Sequence, residues 1–320
     1  MGRAARHTSH QLSARRGGVG SRACLRLGAH RLERLMRAVG RAISSGLDVD
    51  NLPHLGHANS GCYLHIEFGS RSDQGKVRTS NEDSYAASAK HRLFLVADGM
   101  GGHAAGEVAS QIAASTVEEI VALRCGSDKD PENSLRLAVE EANSRIYEAA
   151  RIKREFAGMG STLTVLAFRD DHYYVAHVGD SRAYLLREGV LDQLTRDHSL
   201  VWHLLESGVL RKDELSSHPQ KNLITRSIGP HPSVEVDLER GEAQVGDVFL
   251  LCSDGLTDVV SDENIRSLLS SLSQSPQEIG DMLVDTANKH GGPDNVTVVV
   301  VRLAPGDSKE DDTGKFKALS

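Results

Sequence analysis

The chain has 320 residues, 39% of them hydrophobic, enough to bury a large core in one large domain or two small ones. No run of about eighteen apolar residues occurs, which excludes a membrane-spanning helix. The four cysteines (Cys24, Cys62, Cys125, Cys252) form no C-x-x-C pair and no dense framework, so reduced, cytosolic cysteines are expected. The net charge of −7 conceals an asymmetry: ten of the 37 Lys+Arg and one of the 44 Asp+Glu fall within residues 1–41, leaving 27 basic against 43 acidic side chains, a balance of −16. A body so acidic excludes nucleic acid as its partner.

Residues 1–60 form a basic leader rich in Arg, Gly, Ser, Ala and His, expected to be disordered. It lacks the apolar core of a secretory signal. Three readings stay open: an organellar targeting segment, a short basic amphipathic helix over Leu25 to Ile43, or translation upstream of the true start, which the all-Arg, Lys-free basic set favours. From Tyr63 the pattern becomes one of strands and helices. Strands are predicted at Tyr63 to Phe68, Arg92 to Ala97, Ser161 to Phe168, His172 to His177, Ala183 to Arg187, Asp247 to Ser253 and Asn295 to Arg302. Helices are predicted at Ala105 to Leu123, Pro131 to Lys153, Asp262 to Ser270 and Pro276 to His290. Two long helices in succession between hairpin-like strand runs argue against a doubly wound parallel sheet. Antiparallel sheets packed together, with helix pairs outside, fit better. The expected domain spans 61–304, and 305–320, with Lys309-Glu310-Asp311-Asp312, is an expected disordered tail.

Three apolar strands end in, or begin from, an aspartate: Val96-Ala97-Asp98-Gly99, Leu251-Cys252-Ser253-Asp254-Gly255, and Asp294-Asn295-Val296. A carboxylate at the end of a buried strand sits on a rigid support, and a following Gly lets the backbone approach closely. Three such ends converging would bind a hard divalent cation, although Asp-Gly is also the commonest turn dipeptide. Two further acidic motifs are Arg78-Thr79-Ser80-Asn81-Glu82-Asp83 and His177-Val178-Gly179-Asp180-Ser181-Arg182.

With Gly160-Ser161-Thr162, these motifs resemble, in order and over about 240 residues from Tyr63 to Leu303, the metal-dependent Ser/Thr protein phosphatases of type 2C in their compact bacterial form. The resemblance implies an α+β fold: a four-layer α-β-β-α sandwich of two antiparallel sheets flanked by helix pairs. A mobile flap, Thr195 to Arg226, would lie beside a dinuclear metal site. By the same resemblance Asp98 bridges two Mg²⁺ or Mn²⁺ ions with the Gly99 carbonyl on one, Asp254 and Asp294 bind the other, and Asp83 acts through water. Asp180 and Asp258 match a third, weaker metal site, and Arg78 matches the phosphate-gripping arginine. Animal relatives carry a general-acid His directly after the Asp-Gly; here Met100 stands there, and His103 is the candidate acid, or else packs near Glu107.

The residue chemistry agrees with these roles. All-oxygen ligands suit Mg²⁺ or Mn²⁺ rather than Zn²⁺, and two ions about 4 Å apart can activate a water and clamp an in-line displacement. No cysteine is followed by Arg at the sixth position, so the thiol-phosphatase signature is missing. The expected activity is hydrolysis of phosphoserine and phosphothreonine in proteins by a cytoplasmic monomer, opposing a Ser/Thr kinase. The alternatives are a catalytically inactive binding member of the same fold and a dinuclear hydrolase of small phosphoesters.

Overall fold

The long apolar runs become strands whose two faces are both covered. The computed structural model describes residues 64–102, 104–124, 130–211, 214 and 218–306. The leader, residues 307–320 of the expected tail, Tyr63, His103, Cys24, Cys62 and Cys125 lie outside them. In chain order the elements are β1 (Leu64–Asp73), β2 (Asp83–Ser88), β3 (Leu93–Met100), α1 (Ala104–Arg124), α2 (Pro131–Ile152), β4 (Gly160–Ser161), β5 (Leu163–Arg169), β6 (His172–Val178), β7 (Arg182–Arg187) and β8 (Val190–Gln193). There follow α3 (Leu200–Glu206), β9 (Asp237–Glu242), β10 (Val248–Cys252), α4 (Asp254–Thr257), α5 (Asp262–Leu269), α6 (Pro276–Lys289) and β11 (Val296–Pro305). One sheet has the order β1-β11-β10-β7-β8; the other has β2-β3-β5-β6-β9, with β4 paired to the end of β3. Every pairing is antiparallel.

Strand periodicity distributes the apolar residues between two cores. In β3, Leu93, Leu95 and Ala97 pack towards α1 and α2, while Phe94 and Val96 enter the space between the sheets. In β10, Val248, Leu250 and Cys252 face α5 and α6, and Phe249 and Leu251 face the other sheet. Phe249 meets Phe168 and Tyr173 edge-on there, at ring separations of 5.3 and 5.2 Å, a favoured aromatic geometry. The layers are therefore helix, sheet, sheet, helix, as expected.

Capping chemistry fixes the helix starts. Asp130 accepts from Asn133 N ahead of Pro131, Ser261 caps α5 through Asn264 N, and Ser275 and Glu278 form a reciprocal capping box ahead of α6. Between β3 and α1, Gly101 and Gly102 take φ of +135° and +82°, a turn that residues with a Cβ adopt at a steric cost.

All seven predicted strands and four predicted helices are present with shifted ends. The sequence reading missed β2, β8, β9, α3 and α4. No described helix is long and apolar enough to cross a membrane.

Candidate metal centre

Strand register assembles the carboxylates. Asp83 opens β2 directly opposite Asp98 near the end of β3, so the first sheet edge places two acids side by side. In the other sheet Cys252 pairs with Val298, so Asp254, just past β10, and Asp294, just before β11, emerge at one end. Face-to-face packing brings the two pairs together, and a hydrogen bond crosses between them: Ser253 Oγ donates to Asp83 Oδ2 at 2.8 Å. Ser253 Oγ in turn accepts from Thr297 N at 2.9 Å.

Other residues lock this arrangement. Thr162 Oγ1 accepts from Asp98 N at 2.9 Å and pairs with Ser181 Oγ at 2.7 Å, and Thr162 N donates to the Asp98 carbonyl at 2.8 Å. Gly160-Ser161-Thr162 thus supports the Asp98 backbone and ties it to the segment carrying Asp180. Asn295 Oδ1 accepts from Glu82 N at 2.8 Å, and its amide donates to the carbonyls of Gln74 and Ser80 at 2.9 and 2.8 Å, fastening the loop before β2 to β11.

The glycines after Asp98 and Asp254 serve close packing rather than a special φ. A Cβ on Gly99 would lie 2.0 Å from the Gly106 carbonyl, and one on Gly255 would lie 1.9 Å from the Asn295 carbonyl. Gly106 matters likewise: a Cβ there would come within 2.9 Å of the Gly99 carbonyl and 2.0 Å of Glu82 Oε2. Asp258 is the C-cap of α4 and is exposed. Asp180 is buried between β6 and β7.

Burial and mutual repulsion push these acids towards neutrality. Burial raises Asp83 to about 6, Asp294 and Glu82 add repulsion, and hydrogen bonds from Thr297 and Ser253 oppose the rise. Asp180 rises to about 7, through burial first and Asp197 next. Asp98 and Asp254 stand well above the ordinary carboxylate range: burial leads in both, followed for Asp98 by Asp83 and Asp254, and for Asp254 by Asp180 and Asp258. Both keep some surface at the rim of the site. Few cations offset this charge. Arg78 Nη2 reaches Asp294 Oδ2 at 2.6 Å and Lys221 Nζ reaches Asp258 Oδ2 at 2.7 Å. Arg182, beside Asp180, gives its hydrogen bonds to Asp197 and to Tyr184 OH.

Among the described residues no three acidic, His or Cys side chains already form a ligand cluster. The reason is visible in the partners just named, since Asp294 and Asp258 turn to basic groups and Asp83 to Ser253. The donor set nevertheless fits a hard cation. Asp83 Oδ1, Asp180 Oδ1 and Asp254 Oδ1 are each buried without a hydrogen-bond partner, a costly state for carboxylate oxygens that a cation would relieve. Asp180, Asp254 and Asp258 line a cavity of about 380 Å³, closed on another side by Trp202 and Lys221. Those two residues belong to the segment the sequence reading assigned as a flap, so it does border the carboxylates.

The structure therefore brings Arg78, Asp83, Asp98, Gly99, Asp180, Asp254, Asp258 and Asp294 to one end of the sandwich, and His103 lies outside the described residues. The sequence reading did not assign roles to Ser253, Thr297, Asn295, Gly106 or Lys221. Asn295 alone carried a sequence signal, the Asp-Asn in place of Asp-Gly.

The family profile described as Protein phosphatase 2C matches residues 74–286. Among curated proteins, the serine/threonine protein phosphatase PstP of Mycobacterium tuberculosis is 44% identical over 250 residues, which are 76% of this chain and 46% of PstP. This chain thus spans about half the length of that relative. The serine/threonine phosphatase stp of Listeria monocytogenes is 39% identical over 245 residues, 74% of this chain and 95% of stp. Among solved structures, the M. tuberculosis phosphatase PstP/Ppp matches with a TM-score of 0.71 at 43% identity, covering 76% of this chain and all of that one. The PstP catalytic domain in complex with two manganese ions matches with a TM-score of 0.70 at 41% identity and the same coverage. With its motifs in family order on this four-layer frame, the chain belongs to the protein phosphatase 2C family.

Proposed function

We propose that the domain, residues 61–304, hydrolyses phosphoserine and phosphothreonine in proteins with the help of two Mg²⁺ or Mn²⁺ ions. The observation that carries this reading is the set of buried, partnerless carboxylate oxygens at the strand ends of both sheets. Support comes from the relatives, which are named serine/threonine phosphatases, and from the manganese complex of PstP.

Asp98 is assigned to both ions, with the Gly99 carbonyl on one; Asp254 and Asp294 are assigned to the other, and Asp83 to the surrounding water. Bound ions would lower the pKa of a water nucleophile and offset the charge of the phosphate. The chain's own residues supply position. Thr162 and Ser161 hold Asp98 through its backbone, and Ser253 orients Asp83 while leaving its Oδ1 uncommitted. Arg78 is assigned to the substrate phosphate, for which its planar fork offers paired donors. Its side chain is half-exposed and rests on Asp294. A phosphate taking up the guanidinium would release that carboxylate for its ligand role. Asp180 and Asp258 are assigned to a third, weaker cation site, where Lys221 now holds Asp258. His103 is the candidate proton donor to the leaving alkoxide. The reading also takes a cytoplasmic monomer opposing a Ser/Thr kinase.

The test is phosphate release from a phosphothreonine peptide, expected with Mn²⁺, abolished by chelation and restored by Mn²⁺. Full activity in stringently metal-free protein would refute the mechanism. Absence of turnover under every metal condition would favour an inactive binding member. Faster turnover of sugar phosphates than of phosphopeptides would favour a small-molecule hydrolase.

A further inference from the structure

A second cavity, of about 330 Å³, opens at the other end of the sheet built around β3. The β2–β3 turn supplies Lys90, His91 and Arg92, and the end of β5, the adjacent strand, supplies Arg169 with Asp170 just after it. Register brings the two turns together: Leu93 pairs with Ala167, and Phe168 N donates to the Arg92 carbonyl at 3.0 Å. The end of α1, at Arg124, and the start of α2, at Pro131, cover the opening. Arg92 stands six residues before Asp98 on a strand rising about 3.3 Å per residue, so about 20 Å separates this cavity from the carboxylates.

Its chemistry is the reverse of the metal centre's. Among the described residues Lys90, His91, Arg92, Arg124 and Arg169 line it with one carboxylate, Asp170, in a body whose overall balance is strongly acidic. Basic side chains gathered on one concave surface favour an anion there. Lys90 and Arg92 form no ion pair among the described residues, and His91 Nδ1 is buried without a partner. Arg124 Nη1 donates to Ser134 Oγ at 3.0 Å, which draws that guanidinium onto the wall. The floor is apolar, made by Val121, Leu135, Ala167 and the ring of Tyr174. A scatter of solvated surface charges would not carry such a floor. An inorganic anion would leave it uncovered, whereas cavities of this size and lining suit a small organic molecule with one charged end.

We propose that this cavity binds a small organic monophosphate carrying a flat ring, with the phosphate among Lys90, His91, Arg92, Arg124 and Arg169 and the ring on the floor beside Tyr174. The site is separate from the metal centre and does not require it.

The test uses the full chain in excess chelator, so that no metal draws the phosphate to the carboxylates. Adenosine 5′-monophosphate is the calorimetric probe, with inorganic phosphate and adenosine titrated in parallel. The nucleotide is expected to bind with a Kd of about 0.1 mM, at least about tenfold more tightly than either fragment. Lys90→Glu combined with Arg92→Glu should weaken it by about tenfold or more while leaving Tm and Mn²⁺-dependent turnover unchanged. The milder Lys90→Gln with Arg92→Gln serves if charge reversal impairs folding, and should also weaken binding. Nucleotide binding no tighter than that of the fragments would overturn the proposal. So would binding that survives both double variants, or that vanishes in Asp254→Asn, which would place the ligand at the metal centre. A hexaglutamate peptide that binds more tightly and displaces the nucleotide would make the surface a protein contact instead.

Discussion

Replacing Asp83 by Asn should stabilise the metal-free protein while weakening its response to metal. Asp83 is buried, and its carboxyl is raised from 3.8 to about 6, chiefly by desolvation, with repulsion from Asp294 and Glu82. An acid whose folded pKa lies above its unfolded value destabilises the fold at high pH. The penalty is absent below about pH 4, grows between about 4 and 6, and is constant above that. At pH 7 it amounts to about 3 kcal/mol. Asn removes the charge and still offers an oxygen to Ser253 Oγ, at a loss of about 1 kcal/mol for a weaker, uncharged hydrogen bond. A net gain of about 2 kcal/mol corresponds to a Tm rise of about 4–8 °C for a domain of this size. Scanning calorimetry in chelator at pH 7 should show that rise, and at pH 4 it should disappear. Adding Mn²⁺ should narrow the gap, because saturation at about 100 times Kd stabilises the wild type by about 2.7 kcal/mol and the variant by less. A variant less stable than wild type in chelator at pH 7, or a difference insensitive to pH, would show that Asp83 is not held as a strained charge.

Asp98→Asn and Asp254→Asn should each lower kcat by about 10² or more, since each removes charge from the proposed shared centre, whose ions would stabilise the transition state; near-wild-type turnover by both at saturating Mn²⁺ would overturn the ligand assignment. Arg78→Ala should lower kcat/KM about ten- to a hundredfold, the worth of a charge-assisted contact of roughly 1.5 to 3 kcal/mol, with Mn²⁺ affinity retained. Because its ion pair with Asp294 is partly exposed, Tm should move little; lost metal binding with intact kcat/KM would make Arg78 structural. Deleting residues 1–60 should leave Tm and kcat/KM unchanged at about 0.15 M salt, where contact between a basic leader and an acidic body is screened. An insoluble or markedly less active truncated protein would make the leader part of the domain.

Legibility in the sequence followed burial. β3, β10 and β11 have both faces covered, so Leu93 to Ala97, Val248 to Cys252 and Val298 to Val301 read as continuous apolar runs. The strands that escaped, β2, β8 and β9, lie at sheet edges. Asp237-Leu238-Glu239-Arg240-Gly241-Glu242 reads as a loop, since an edge strand is kept polar to discourage pairing with other chains. β1, also at an edge, runs on to Asp73 through Ser70-Arg71-Ser72 for the same reason. In the site, the acids were visible because each ends or begins a chain segment of recognisable pattern. Ser253, Thr297 and Gly106 were not, because their importance exists only where the sheets or a helix and a strand meet.

That difference has an energetic meaning. Ser253 donates across the sheets to Asp83, and Asn295 fastens β11 to the loop before β2, so the hydrogen bonds that aim the carboxylates also hold the two sheets in register. The acids themselves act in the opposite sense. Asp83 and Asp98 come from one sheet and Asp254 and Asp294 from the other, and part of their repulsion, that of Asp254 on Asp98 and of Asp83 on Asp254, is directed across the same junction. Hydrophobic burial between the sheets, by Phe94, Phe249, Leu251 and Val299 among others, must outweigh that repulsion when no cation is bound. A cation joining Asp98 to Asp254 would convert the repulsion into attraction, closing the junction at the end that carries Arg78, the residue proposed for the phosphate. Metal affinity and the stability of the sheet-to-sheet interface are therefore expected to change together, which single-site variants in the inter-sheet core can reveal without touching a ligand. Phe249→Ala leaves every carboxylate in place, removes a buried ring worth about 3–5 kcal/mol, and should lower Mn²⁺ affinity along with Tm. An unchanged affinity in a folded Phe249→Ala protein would mean that the centre is held by its own hydrogen bonds alone.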